Sequence, residues 1–230
     1  MLQKQLIVAL DFSSIESALA CLDKLDPSLC RVKIGKELFT ATGPESVKQA
    51  TVRGFDVFLD LKFHDIPNTV AKSVAAAAEM GVWMLNVHAG GGYKMLAEAR
   101  GVLDLFGDER PLLIAVTLLT SFGPGDLAAV GVLDDPAAHV LRLAELAKDA
   151  GLDGVVSSAQ EVGMLREKIG ENFCFVTPGI RRTQDKKNDQ ERVETPAEAI
   201  ANGSSFLVMG RPITQAADPM GVIRNIYESL

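Results

Sequence analysis

The stretch VFLDLKFHDIPNTV, residues 57 to 70, sets two carboxylates and an amine into an otherwise apolar run: Asp60, Lys62 and Asp65. In an extended chain successive side chains point to opposite faces, so Asp60 and Lys62 share one face with Phe58, while Val57, Leu59, Leu61 and Phe63 share the other. Charges on a buried face are costly unless they are paired or used. A lysine held between carboxylates keeps its ammonium form, which suits a proton donor better than a nucleophile. The alternative is a structural ion pair, but buried pairs add little net stability because desolvation offsets their attraction. Asp11 and Lys33, at or near the ends of two other apolar runs, favour chemistry.

Those runs define the frame. Eight β-rich segments alternate with helical ones: LIVALD (6 to 11), RVKIG (31 to 35), VFLDLK (57 to 62), WMLNVHA (83 to 89), LLIAVTLL (112 to 119), GVVSS (154 to 158), FCFVTP (173 to 178) and SFLVMG (205 to 210). Alternation of this kind marks repeated βα units and a parallel sheet. Pro44, Pro67, Pro136 and Pro196 suit first-turn helix positions, and Gly54, Gly81, Gly151 and Gly203 suit helix ends. Thr195 and Glu198 read as a capping box. Eight units in 230 residues predict one (β/α)8 TIM barrel over residues 1–230 as a single domain, with its active site at the C-terminal ends of the strands. A doubly wound open sheet is the alternative, but LDFSSIES after the first run lacks the glycine-rich dinucleotide fingerprint.

A barrel gathers its strand ends around one mouth, and here those ends are polar. Asp11, Lys33, the pair Asp60 and Lys62, then Asn86 and His88, then Thr120 and Ser121 follow in order. The seventh run leads into TPGIRR and the eighth into GRPIT, where Gly210 and Arg211 precede a proline suited to a helix start. An arginine beside backbone N–H groups makes a phosphate site, which barrels often build after their last two strands. The polar segment RRTQDKKNDQER is either a solvated loop or a lid that orders over an anion. His64 and His88 read more readily as structural histidines than as bases.

Bulk properties narrow the class. The net charge of -7 argues against a general nucleic-acid binder, so an anionic ligand needs a local basic site. No apolar run is long enough to span a membrane. The N-terminus, MLQKQLIVALDF, lacks a cleavage pattern and reads as a first strand. Three scattered cysteines fit a reducing cytoplasm, and neither they nor the three histidines have metal-ligand spacing, so no metal is expected.

DLKFHDIPNTV, VKIGKELF, NVHAGGG, VTLLTS, TPGIR and GRPIT, in that relation along the chain, closely resemble the bacterial orotidine 5′-monophosphate decarboxylase family over essentially its whole length. The resemblance implies conversion of orotidine 5′-monophosphate to uridine 5′-monophosphate in pyrimidine synthesis, without metal or organic cofactor. It implies Lys62 as the acid that stabilises and protonates a carbanion at carbon 6, and Asp60 beside the departing carboxylate. Lys33 and Asp11 are implied as ribose and network contacts, and Thr120 and Ser121 as pyrimidine contacts. Ile66, Pro67 and Thr69 are implied among the substrate contacts, and Arg181, Gln190, Gly210 and Arg211 as phosphate contacts. Asp65 is similar to an acid that crosses into the partner's site of a homodimer. The loop between Arg181 and Gln190 departs from the family in having neither glycine nor proline. Two other readings stay open: a magnesium-dependent sugar-phosphate decarboxylase on the same barrel, and a catalytically silent phosphate binder.

Overall fold

The β-branched and leucine-rich runs form eight strands: β1 Leu6–Ala9, β2 Arg31–Gly35, β3 Val57–Phe63, β4 Met84–His88, β5 Leu112–Val116, β6 Gly154–Val156, β7 Cys174–Thr177 and β8 Phe206–Met209. Each pairs in parallel with the next, and β8 returns to β1 through Leu6↔Leu207, Ile7↔Val208 and Val8↔Met209, closing the barrel. The computed structural model describes residues 4–122, 125–181 and 194–230.

Among those residues the helices are α1 Ile15–Leu22, α2 Lys36–Thr42, α3 Glu45–Val52, α4 Pro67–Glu79, α5 Gly92–Gly101, α6 Asp126–Ala129, α7 Pro136–Asp149, α8 Ala159–Ile169, α9 Pro196–Ala201, α10 Arg211–Thr214 and α11 Pro219–Glu228. The punctuation predicted from sequence is present. Pro67, Pro136 and Pro196 open α4, α7 and α9, where a missing N–H costs no hydrogen bond, and Pro44 caps α3. Thr195 Oγ1 accepts from the Glu198 N–H while Glu198 Oε2 accepts from the Thr195 N–H, completing the capping box. Gly81 and Gly151 follow α4 and α7 with φ of +73° and +79°, a conformation that strains other residues.

The alternation read in β3 holds. Val57 and Leu59 join the large cluster between sheet and helices, with Leu85 and Val87 of β4 beside them. Phe58 packs along the barrel axis with Ile7, Ala9, Met84, Ile114, Val176 and Val208. This apolar plug fills the barrel below its mouth, and its upper residues form the floor beneath the polar ones at the rim. No helix among the described residues is long and apolar enough to cross a membrane.

Candidate active site

Parallel register brings the predicted charges together. Ala9 pairs with Lys33 and Lys33 with Phe58, which sets the β2 lysine between Asp11, just beyond β1, and Asp60 on β3. Lys33 Nζ lies 3.0 Å from Asp11 Oδ1 and 3.3 Å from Asp60 Oδ2, and Lys62 Nζ lies 2.6 Å from Asp60 Oδ1. The result is an alternating chain, Asp11–Lys33–Asp60–Lys62. Gly35 makes room for it: a Cβ there would come within 2.9 Å of Lys33 Nζ.

Burial alone would push the Asp60 carboxyl up, but Lys33 and Lys62, with hydrogen bonds from Lys62 and Asn86, hold it below the usual carboxylate range. Burial likewise opposes the charge on Lys33, and Asp60 and Asp11 overcome it, leaving the ammonium raised above its ordinary value. Both groups are therefore ionised at neutral pH. Burial lowers His88 to about 4, helped by His64, Lys36 and Lys62, so its imidazole is neutral. Its ring sits 5.6 Å from that of His64, beside the array.

Lys62 is the one non-glycine residue with positive φ among the described residues, at 54°. Such a conformation costs roughly 1–3 kcal/mol and persists only where surrounding contacts impose it. Here the β3–β4 ladder runs regularly to Leu59↔Leu85 and resumes at Phe63↔Val87. Across that break the Asn86 side chain replaces a strand partner: its Oδ1 accepts from the Lys62 N–H at 2.8 Å, and its Nδ2 donates to Asp60 Oδ1 at 2.7 Å.

Two cavities open above the plug and share Lys33, Pro178 and Val208. One, of about 270 Å³, has Asp60 and Lys62 on one side, Thr120 and Ser121 at its rim, and apolar walls from Phe58, Val116, Val156 and Val176. The other, of about 560 Å³, is lined by Asp11, Glu37, Arg181, Gly210, Arg211, Thr214 and Gln215. Arg181 is buried, with one guanidinium nitrogen donating to the Ile180 carbonyl at 2.8 Å. Gly210 is the N-cap of α10, so Arg211 leaves the barrel at a helix start, as GRPIT implies.

Asp65 stands apart: its Oδ1 accepts from the Ile66 N–H at 2.6 Å, and neither cavity includes it. Ile66, Pro67 and Thr69 lie beside it at the start of α4, also outside both linings, with Ile66 66% exposed. Gln190 falls outside the described residues, as does all but Arg181 of the segment 181–192 read as a solvated loop or a lid. Sequence reading placed Asn86 among the polar strand ends of the mouth but gave it no task, and it named none of Glu37, Thr214 and Gln215. Strand parity was the available signal for Asn86; Thr214 is the last residue of GRPIT and Gln215 follows it directly. Among the described residues no group of three or more His, Cys, Asp or Glu side chains is disposed to hold a metal ion.

Comparison with known proteins supplies the context for this mouth. The family model described as "Orotidine 5'-phosphate decarboxylase / HUMPS family" matches residues 4–226. The chain is 58% identical over 226 residues to orotidine 5'-phosphate decarboxylase of Vibrio cholerae serotype O1, covering 98% of each protein. It is also 58% identical over 226 residues to that of Legionella pneumophila strain Lens, covering 98% of this chain and 99% of the other. Among solved structures, orotidine 5'-phosphate decarboxylase from Lactobacillus acidophilus matches with a TM-score of 0.89 at 41% identity, over 99% of both chains.

Proposed function

The chain belongs to the orotidine 5'-phosphate decarboxylase / HUMPS family, and from that premise we propose that its barrel mouth decarboxylates orotidine 5′-monophosphate to uridine 5′-monophosphate, with Lys62 as the acid. The observation that carries this reading is the Lys33–Asp60–Lys62 array at the seam between an apolar-walled cavity and an arginine-lined one. A nucleotide has the same two-part chemistry. Its pyrimidine fits the smaller cavity against Thr120 and Ser121, and its phosphate fits the larger one against Arg181, Gly210 and Arg211. Its ribose then passes Lys33 and Asp11.

The reaction breaks the bond between carbon 6 and the carboxylate carbon. The bonding electron pair stays on carbon 6 and carbon dioxide leaves. That localised anion needs a fixed positive charge, and an ammonium among valine walls acts in a low dielectric, where it is worth far more than in water. Lys62 Nζ then delivers a proton to carbon 6 and regains one from solvent. Asp60 Oδ1 accepts from Lys62 Nζ at 2.6 Å and aims it. Phosphate contacts remote from the breaking bond contribute binding energy used for alignment. In this reading residues 1–230 act as one catalytic domain.

The proposal extends to a homodimer in which Asp65 reaches the partner's site. Its support is the exposed lip from His64 to Thr69, which leaves Asp65 outside its own cavities. Mixing Asp65→Ala with Lys62→Ala subunits should give more activity than either parent, because one mixed site regains both groups. No recovery despite demonstrated subunit exchange removes the shared site.

The primary test is the ultraviolet absorbance change when purified protein meets orotidine 5′-monophosphate, with and without chelator. Conversion should survive chelator and fall by more than about 10³-fold in Lys62→Ala. Absence of conversion by folded wild type, or dependence on a divalent cation, transfers the site to another phosphate ligand such as a sugar phosphate.

A further inference from the structure

We infer that Asn86 is a positioning residue for the proposed reaction: its buried side-chain amide splints the break between β3 and β4 and so fixes both the backbone of Lys62 and the carboxylate that aims it. The inference rests on the role proposed for Lys62.

From Leu59 to Phe63 the third strand uses four residues where the fourth uses two, from Leu85 to Val87. The surplus residues are those that carry the chemistry. In a regular ladder the Lys62 N–H would meet a strand carbonyl; here it meets Asn86 Oδ1 at 2.8 Å. A part-buried amide left without a partner is costly, so this bond supports the left-handed turn at Lys62. Asn86 is 0% exposed and its orientation has no competitor. Asp60 is ionised and only accepts, which draws Nδ2 toward it and leaves Oδ1 for the Lys62 N–H.

The same carboxylate oxygen, Asp60 Oδ1, receives Lys62 Nζ at 2.6 Å and Asn86 Nδ2 at 2.7 Å. Asn86 thus acts on Lys62 at both ends, through the main chain and through the carboxylate that orients the ammonium. It lines neither cavity, which makes it a positioning group and not a substrate contact. The charged or titratable groups around it are Asp60 and Lys62 of β3, Lys33 of β2 beyond Asp60, and His88 on its own strand; its β5 partner is the apolar Ile114.

Two substitutions separate this role from generic stability. Asn86→Leu keeps the approximate volume and removes donor and acceptor together. It should lower kcat roughly a hundredfold, the scale of an ångström of misplacement, while KM and the Kd for uridine 5′-monophosphate stay within about threefold. Asn86→Asp is isosteric and conditional. Ionised, it sets a second carboxylate against Asp60; with one proton shared between the two, it again offers an acceptor to Lys62 N–H and a donor to Asp60. Burial and the neighbouring carboxylate raise the pKa of that pair, opposed by Lys62 and Lys33. Its kcat relative to wild type should therefore rise at least about tenfold as pH falls from about 8 to about 5.5, while the ratio for Asn86→Leu stays flat.

Asn86→Leu within about threefold of wild-type kcat, or Asn86→Asp without acid recovery, overturns the inference. If Asn86→Leu does not fold, the pH ratio of Asn86→Asp decides alone. If wild type converts no orotidine 5′-monophosphate, the parent reading has failed, and a crystal structure of Asn86→Asp grown at alkaline pH tests the splint directly. Lys62 should then lose its positive φ or its contact with Asp60, and retention of both refutes the splint.

Discussion

Replacing Asp60 by asparagine changes almost no volume and removes one charge, yet the structure gives it a large effect. The carboxylate faces three donors: Lys62 Nζ at 2.6 Å and Asn86 Nδ2 at 2.7 Å on Oδ1, and Lys33 Nζ at 3.3 Å from Oδ2. An amide has one acceptor and one NH2 group, so in either orientation it turns a donor toward a donor. At an effective dielectric of about 20, the two lysine contacts are worth about 6 and about 5 kcal/mol of gross attraction, most of it offset by desolvation. Removing one partner of a buried array leaves the desolvation uncompensated, which costs about 3–5 kcal/mol. Asp60→Asn should lose that much stability in urea unfolding at pH 7. The folded carboxyl lies below its ordinary 3.8, so the stabilisation is complete above about pH 4 and is lost as pH falls through the folded value. The gap between wild type and variant must therefore narrow in acid. A loss below about 1 kcal/mol at pH 7, or a gap independent of pH, would refute the array as described.

Three further outcomes follow from other parts of the molecule. His88 protonates at about 4 in the folded chain and near 6.5 unfolded, so between those values the unfolded state binds the extra proton and stability falls as pH drops, by up to on the order of 3 kcal/mol; His88→Gln should flatten that slope in denaturation at pH 7 and 4.5, and an unchanged slope assigns it elsewhere. Arg211→Ala should cut kcat/KM for orotidine 5′-monophosphate roughly a hundredfold and leave the unphosphorylated nucleoside unaffected, since the guanidinium lines the phosphate side; equal losses on both would move Arg211 out of phosphate binding. A Cβ on Gly154 would sit 2.3 Å from the Cys174 carbonyl oxygen of the next strand, so Gly154→Ala should destabilise by at least about 2 kcal/mol in thermal unfolding, and a neutral effect would mean that β6 and β7 separate easily.

Much of this was legible along the chain because it depends on local periodicity and punctuation. The eight runs became eight strands, and Pro67, Pro136 and Pro196 opened helices. Phe58 and Asp60 turned inward while Val57 and Leu59 turned out, as period two requires. The strand limits moved: β1 ends at Ala9 and β5 at Val116, short of Asp11 and Leu119, because the polar and rim residues leave the ladder to line the mouth.

Residue types and their order determined the barrel, the polarity of its mouth and the identity of the charged group, since alternation and strand count are properties of the chain itself. Only the tertiary structure decided that Asp60 stands between two lysines, that Lys62 takes a left-handed backbone and that Asn86 bridges the interrupted ladder. Those features depend on register between strands 24 to 27 residues apart in sequence, such as Lys33 beside Phe58 and Asn86 beside Lys62. No local pattern encodes such a register, because it is set by how eight strands close on one another around a shared core.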